Sequence, residues 1–310
     1  MKRKIIKLAE KTLVASLPTE WIELNSLEKG DEIELTYLDD KLLLSPLKSK
    51  QQLKTTNLDI KDLSERVLRW TISALHKQGF DEINIFNYTE EQVKIIEDLI
   101  TNLFIGFIIK EKTNLKLIVG QIAITDASEF EATLRRAFRQ IVNMVNELQT
   151  SLKTNNTASL TKQLELEHEN NKLTNFCERL LNKTLKEKEK GHFWYIIAWN
   201  LEKIADIFKY IAQEYKIAPK LNQEQVKIIS EINQYVESYY AFFYNFSFNK
   251  LIELDEQKKK LLLNLRQEMI SDNKDTIILM HHLSNLLTSI SDLSSSTIAL
   301  RARTDSLQKQ

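Results

Sequence analysis

Glycine and proline are scarce in this chain, and where they are missing carries structural information. Five glycines occur in 310 residues, none beyond Gly191, and Pro219 is the only proline after Pro46. A 119-residue tail without glycine cannot be a sheet full of tight turns, which rely on the positive φ that glycine supplies. It reads as helices joined by short polar connections. One cysteine, Cys177, excludes an intrachain disulfide framework and fits a reducing cytosol. On its helix it reads as a small apolar residue. The longest apolar run, Leu99 to Ile109, has 11 residues and contains Thr and Asn, too short to span a bilayer. Lys2, Arg3 and Lys4 lead into no uninterrupted apolar stretch, so no secretory leader is visible. A cytoplasmic protein without membrane insertion is expected. An excess of one charge is missing too. With 43 basic against 43 acidic residues, any electrostatic function must come from a local patch.

What is present changes character along the chain. Residues 1–50 carry β signals: Lys4–Leu8 and Thr12–Leu17, then Asp31–Leu38 and Lys41–Pro46 after Gly30. Asp39-Asp40 suits a tight hairpin between the last two. Pro18 suits the start of a short helix over Thr19–Leu27, and the polar stretch Ser45–Asn57 reads as a linker.

Residues 58–127 read as a small α/β domain. Asp62–Phe80 is an amphipathic helix with Leu63, Val67, Trp70 and Leu75 on or near one face, ended by Gly79. Asp81–Asn87 alternates like a strand, Thr89–Phe104 reads as a second helix, and Gly106–Ile124 as two strands around a Lys-Thr-Asn turn.

From about 128 the period becomes helical. Phe130, Leu134, Ala137, Ile141, Val145 and Leu148 share one face; a second helix covers 158–187; a third, 192–215, carries the seam Phe193, Ile197, Leu201, Ile204, Phe208 and Ile211. After a break at Pro219, helices follow at 222–247, 251–270 and 275–303, the last with Leu279, Leu283, Leu286, Ile290 and Leu293. Residues 128–218 and 222–306 are thus two segments of three helices each. The fold class is multi-domain and mainly α, with a β head, an α/β middle and a helical bundle.

The head resembles the AbrB-like swapped-hairpin family, in KRKIIKL at Lys2–Leu8, LVASLPTEWIELNSLEKGDEIEL at Leu13–Leu35 and KLLLSP at Lys41–Pro46. Pro18, Trp21, Leu27, Gly30 and Asp31 carry the spacing; Ala9–Thr12 departs from the glycine and serine common in relatives. The resemblance implies a homodimer of interleaved hairpins whose basic residues contact double-stranded DNA. The helical tail is similar to PhoU, a regulator associated with phosphate uptake, most closely over LEKIADIFKYIAQ at Leu201–Gln213. With the order of the parts, this implies an archaeal PhoU-type regulator of phosphate uptake or phosphate-responsive transcription, with DNA, a phosphate transporter ATPase or a kinase-like signalling protein as partner. The alternative is a metal-binding or transporter-docking protein that does not contact DNA.

Two groups of residues are candidate sites. Glu202 and Asp206 lie one helical turn apart, so both carboxylates project from one face and can share a hard cation. The PhoU resemblance implies a metal cluster there; the other reading is a solvated pair with Lys203 or Lys209 as ion partners. The second repeat has Ser284 and Thr288 at the corresponding positions, and Asn171 stands where relatives carry an acid, which leaves one degenerate divalent or ferric site or none. His281 and His282, adjacent on a helix, point about 100° apart and are not a ligand pair. The second group is Lys2, Arg3, Lys4, Lys7 and Lys11, which with Glu10 give the first 11 residues a charge of +4, enough in a dimer for several phosphate contacts. Residues 1–50 as a whole balance nine basic against nine acidic side chains, so a purely dimerising head is the other reading. The aromatic clusters His192–Trp199 and Tyr239–Phe246 read mainly as core or inter-repeat packing; Trp194 and Tyr195, off the helical seam, are the candidates for an exposed partner-docking surface. No glycine-rich phosphate loop, nucleophile elbow, paired-cysteine motif or His-Glu-x-x-His occurs, so no enzyme is expected.

Overall fold

The computed structural model describes residues 2–8, 11–38, 41–47, 53–122, 126, 128–154, 157–183, 190–215, 219–270 and 273–302. The chain divides into two compact units, Met1–Lys54 and Thr55–Gln310.

The first unit is the head. Strands β1 (Ile6–Lys7) and β2 (Leu13–Val14) pair antiparallel, with Ile6 opposite Val14. Helix α1 (Thr19–Leu24) follows Pro18, whose φ of −65° pre-sets the chain for helix entry. Gly30, at φ +104°, turns the chain into β3 (Ile33–Leu38), which pairs antiparallel with β4 (Lys41–Pro46). A side chain at Gly30 would be strained whatever the space around it. The expected Asp39-Asp40 turn lies outside the described residues.

The second unit begins with a strand in what reads as linker: β5 (Thr55–Asp59). It lies at the sheet edge with only Thr56 and Leu58 turned partly inward, so polar residues suffice and no apolar alternation marks it. Helix α2 (Glu65–Lys77) crosses over to β6 (Glu82–Phe86), parallel to β5. Helix α3 (Glu90–Asn102) then leads to the antiparallel pair β7 (Phe107–Lys112) and β8 (Leu117–Gln121), in sheet order β5-β6-β8-β7. A capping box, Thr89 with Gln92, starts α3. Ile83, Ile85, Leu117 and Val119 from the sheet pack against Leu68 and Ile72 of α2 and Val93, Ile96 and Leu99 of α3. The α2 face therefore differs from the sequence expectation. Leu63 and Leu75 do pack on this core, but Val67 and Trp70 are 40 % and 61 % exposed. Two apolar stripes share this helix; the one at 68, 72 and 76 meets the sheet, and Trp70 lies under the Arg66 guanidinium at 4.6 Å.

The bundle follows: α4 (Glu129–Thr154), α5 (Thr157–Lys183), α6 (Gly191–Glu214), α7 (Gln223–Tyr244), α8 (Phe248–Glu268), α9 (Lys274–Asp292) and α10 (Ser294–Arg301). One continuous core runs through all of it, with α4 against α7 and α6 against α9. Side-chain caps at Asn222, Ser247 and Asn273 set helix starts, each contributing about 1 kcal/mol. The expected single helix over 275–303 is broken at Leu293. There Thr297 Oγ1 donates to the Leu293 carbonyl at 2.8 Å, and the Tyr239 hydroxyl lies 3.1 Å from Ser294 Oγ. Serine and threonine bonding back to the backbone tighten the turn and favour such breaks. The α6 seam is buried from Ile197 onward, whereas Phe193 is only half-buried, its ring 4.1 Å from that of His192 and tilted 46° to it. Cys177 is fully buried, and burial pushes its thiol pKa up. No helix among the described residues is long and apolar enough to cross a membrane.

Candidate functional site

In the head, the register of β3 and β4 builds the first candidate surface. Ile33 opposes Pro46, Leu35 opposes Leu44 and Tyr37 opposes Leu42, so one face of the ribbon is entirely apolar. The other face carries Glu34 opposite Ser45 and Thr36 opposite Leu43. That apolar face is only partly covered: Tyr37 is 81 % exposed, Leu35 and Leu42 are 49 % exposed, and Ile33, Leu44 and Pro46 are half-buried. None of the described residues of the head is buried. A two-stranded ribbon is marginal by itself, and burying each large apolar side chain is worth roughly 1.5–3 kcal/mol. The head as one copy thus lacks the core that would hold it. Lys2, Arg3, Lys4, Lys7 and Lys11 are all exposed, and among the described residues none forms an ion pair. Ile5 and Ile6, 70 % and 57 % exposed, lie among these cations.

The second candidate, Glu202 and Asp206 on α6, is occupied by lysines. Lys77 Nζ, from α2, lies 3.2 Å from Glu202 and 2.9 Å from Glu178. Lys203 Nζ lies 3.5 Å from Glu202 and 3.0 Å from Asp206. Lys209 contacts Asp206 and, at 2.7 Å, Glu167. Acids and bases alternate along the chain Glu178, Lys77, Glu202, Lys203, Asp206, Lys209, Glu167. Burial pushes the Asp206 carboxyl up, but hydrogen bonds from Lys209 and Lys203 outweigh it and hold the group below the usual carboxylate range. Asn171 donates to Glu167 at 2.9 Å, and Thr288 to the Ser284 carbonyl at 2.9 Å. Metal affinity comes from unneutralised ligand charge, and here ammonium groups already neutralise it. Among the described residues no group of three or more His, Cys, Asp or Glu is placed to hold a metal ion. The residues present do not fit the metal centre that the PhoU resemblance implies. His281 bonds Asn285 at 3.2 Å, and its ring lies 6.2 Å from that of His282.

Trp194 and Tyr195, the candidates for an exposed docking surface, follow the core-packing reading instead. Both are half-buried against the bundle core, because Trp194 sits edge-on to Phe130 at 5.6 Å and the Tyr195 hydroxyl donates to Glu178 at 3.1 Å. Burial, with the Glu178 carboxylate beside it, pushes the Tyr195 phenol up to about 12.

The charged groups that sequence reasoning missed lie where α5 meets the α/β layer. Arg179, 1 % exposed, donates to Asp81 at 2.7 Å, Gln121 at 3.0 Å and the carbonyls of His76 and Phe80 at 3.0 and 2.7 Å. Lys183 also contacts Asp81. No local signal marked it, because Lys172, Asn175, Asn182 and Lys183 share its helix face.

Beside Arg179, His76 is fully buried, stacked on Phe104 at 4.2 Å and edge-on to Phe107 at 4.9 Å, with neither ring nitrogen hydrogen-bonded. Burial, then the Arg179 and Lys77 charges, hold its pKa well below 6.5. The folded protein therefore keeps His76 neutral where the unfolded chain takes up a proton. Stability from this group is complete above pH 6.5 and declines as pH falls toward the folded pKa, by up to about 1.4 kcal/mol per pH unit. Urea denaturation between pH 7.5 and 5 should show His76→Phe flattening that slope; an identical slope in both proteins would disprove it.

Comparison with known proteins adds one finding. Residues 8–52 match the family model described as antidote-toxin recognition MazE, bacterial antitoxin. The match supports the AbrB-like reading of the head and covers a small part of the chain. No curated protein and no solved structure matches.

Proposed function

We propose that this chain is a homodimeric, DNA-binding regulator of the antitoxin type, with its head as both the pairing device and the DNA-contacting surface. The observation that carries this reading is the apolar face of the β3–β4 ribbon, with Leu35, Tyr37 and Leu42 exposed and Ile33, Leu44 and Pro46 only half-buried in one copy. A second head supplies the same face in return, as a two-fold interface requires. Pairing doubles the five-cation arm of Lys2, Arg3, Lys4, Lys7 and Lys11, and phosphate contacts are what such a patch serves. The helical body is the part through which a second signal reaches the head. A tie to phosphate uptake, with a transporter ATPase or a signalling protein as partner, rests on the resemblance of Leu201–Gln213 and on the order of the parts. The antitoxin match favours a second reading, in which the head also holds a toxin protein.

A gel shift on duplex DNA across a salt series tests the DNA contact. Each phosphate contact contributes roughly 0.9 to the slope of log affinity against log salt. Replacing Arg3, Lys4 and Lys7 by Gln, three positions in each of two chains, should reduce the slope by up to about five. No retention at low salt, or an unchanged slope in the variant, would leave the head a dimerising device only.

A further inference from the structure

Four helices converge on a cavity of about 380 Å³ at one end of the bundle. Glu131 and Arg135 come from the start of α4, Trp194 from the start of α6, Tyr244 from the end of α7 and Arg301 from the end of α10. The Arg135 guanidinium lies 4.2 Å from the Tyr244 ring centre. That of Arg301 lies 5.0 Å from Trp194, 5.1 Å from Phe243 and 5.8 Å from Tyr244. Aromatic faces thus hold both cations in place, as suits the flat, weakly hydrated guanidinium.

Among the described residues no carboxylate pairs with Arg135 or Arg301, Arg301 Nε is buried with no hydrogen-bond partner, and the buried Tyr244 hydroxyl has the Arg135 guanidinium beside it and its own proton still to donate. Buried donors are nearly always satisfied, because leaving one unpaired forfeits its hydration without return. Two arginines against one lining acid, Glu131, also leave the cavity net positive. Its volume falls in the range of small-molecule sites, larger than a bare ion needs. We propose that this cavity binds a small organic oxyanion, one carrying a phosphate or carboxylate group, with Arg135, Arg301 and the Tyr244 hydroxyl as its donors. Charge-assisted bonds to guanidinium are the strong class for such groups. Because α4 and α6 belong to one three-helix segment and α7 and α10 to the other, the bound ligand would tie the two segments together.

Calorimetric titration of the full-length protein in chloride buffer tests this, with adenosine monophosphate, citrate and inorganic phosphate as probes. The expected result is saturable binding of adenosine monophosphate or citrate, weakened roughly ten- to hundred-fold by Arg135→Gln and by Arg301→Gln. The two organic probes distinguish a phosphate-bearing from a carboxylate-bearing ligand. Arg135 faces solvent, so its variant keeps the fold and carries the test if Arg301→Gln loosens α10. Three results overturn the proposal: no saturable heat with any probe at millimolar concentration, affinities unchanged in Arg135→Gln, or inorganic phosphate binding as tightly as both organic probes.

Discussion

An aspartate at Leu35 should convert the protein from dimer to monomer over the whole micromolar range, with the helical body still folded. Leu35 sits mid-ribbon, opposite Leu44 and on the same face as Ile33, Tyr37 and Leu42. In one copy it is 49 % exposed, so the substitution costs the monomer little. In the dimer that face is covered, and a carboxylate placed there has no cation among its apolar neighbours. Burying an uncompensated charge costs several kcal/mol, and two-fold symmetry imposes the cost twice. At about 3 kcal/mol per copy the loss is about 6 kcal/mol, or about four decades in the dimer dissociation constant. Glu34→Gln, on the opposite face, is the control and should leave the dimer intact. Sedimentation over a dilution series reads the outcome, and far-ultraviolet circular dichroism checks the body. DNA retention should fall with the dimer, because the cations of one arm no longer act with those of a second. A wild-type chain that sediments as a monomer at tens of micromolar, with protected amides in β3 and β4, would refute the pairing role of the head.

How much of this was legible in the sequence depended on the distance over which each interaction acts. The bundle was readable because a 3.6-residue period is local: Ile197, Leu201, Ile204, Phe208 and Ile211 are all in the core, where their spacing placed them. The hairpin of β3 and β4 was readable by alternation. β5 was not, because an edge strand needs little apolar surface and Thr55–Asn57 looks like linker. On α2 two apolar stripes compete, and local spacing does not say which one meets a sheet formed elsewhere. The break at Leu293 depends on Tyr239, 55 residues away in sequence from the serine it approaches.

The same rule separates the two candidate sites. The basic arm is a cluster in sequence, and its five cations are all exposed. The acidic pair on α6 is also local, and so are two of its partners, Lys203 and Lys209. Lys77, which fills the remaining side of Glu202, comes from 125 residues upstream. A pair of carboxylates reads as an open cation site until the third lysine is placed, and with it in place the pair is part of a closed ionic chain. Arg179 shows the opposite failure. Its helix face, shared with Asn175, Asn182 and Lys183, looks solvated, and neither Asp81 nor Gln121 can be chosen as its partner from the sequence alone.

Arg179 is where the second large effect is expected. Replacing it with alanine should destabilise the body by about 3–5 kcal/mol, the cost of removing one partner from a buried ion pair, set against a total of about 5–15 kcal/mol for an ordinary domain. The loss has several sources. Asp81 loses a buried cation while keeping Lys183, the His76 and Phe80 carbonyls and Gln121 each lose a donor, and the Phe107 ring loses the guanidinium 4.8 Å from its centre. The position also joins α5 to the α2–β6 connection, so the α/β layer should loosen before the bundle does. Urea denaturation should then show a second transition, and hydrogen exchange should lose protection first in α2 and β8. Arg179→Met with Asp81→Asn separates charge from packing: it removes both members of the pair and fills the volume, and it should recover part of the loss relative to Arg179→Met alone. If Arg179→Ala unfolds within about 0.5 kcal/mol of the wild type, the range of ordinary surface substitutions, the arginine is not what fastens the layer to the bundle, and the packing of α2 and α3 on α5 must do so by itself.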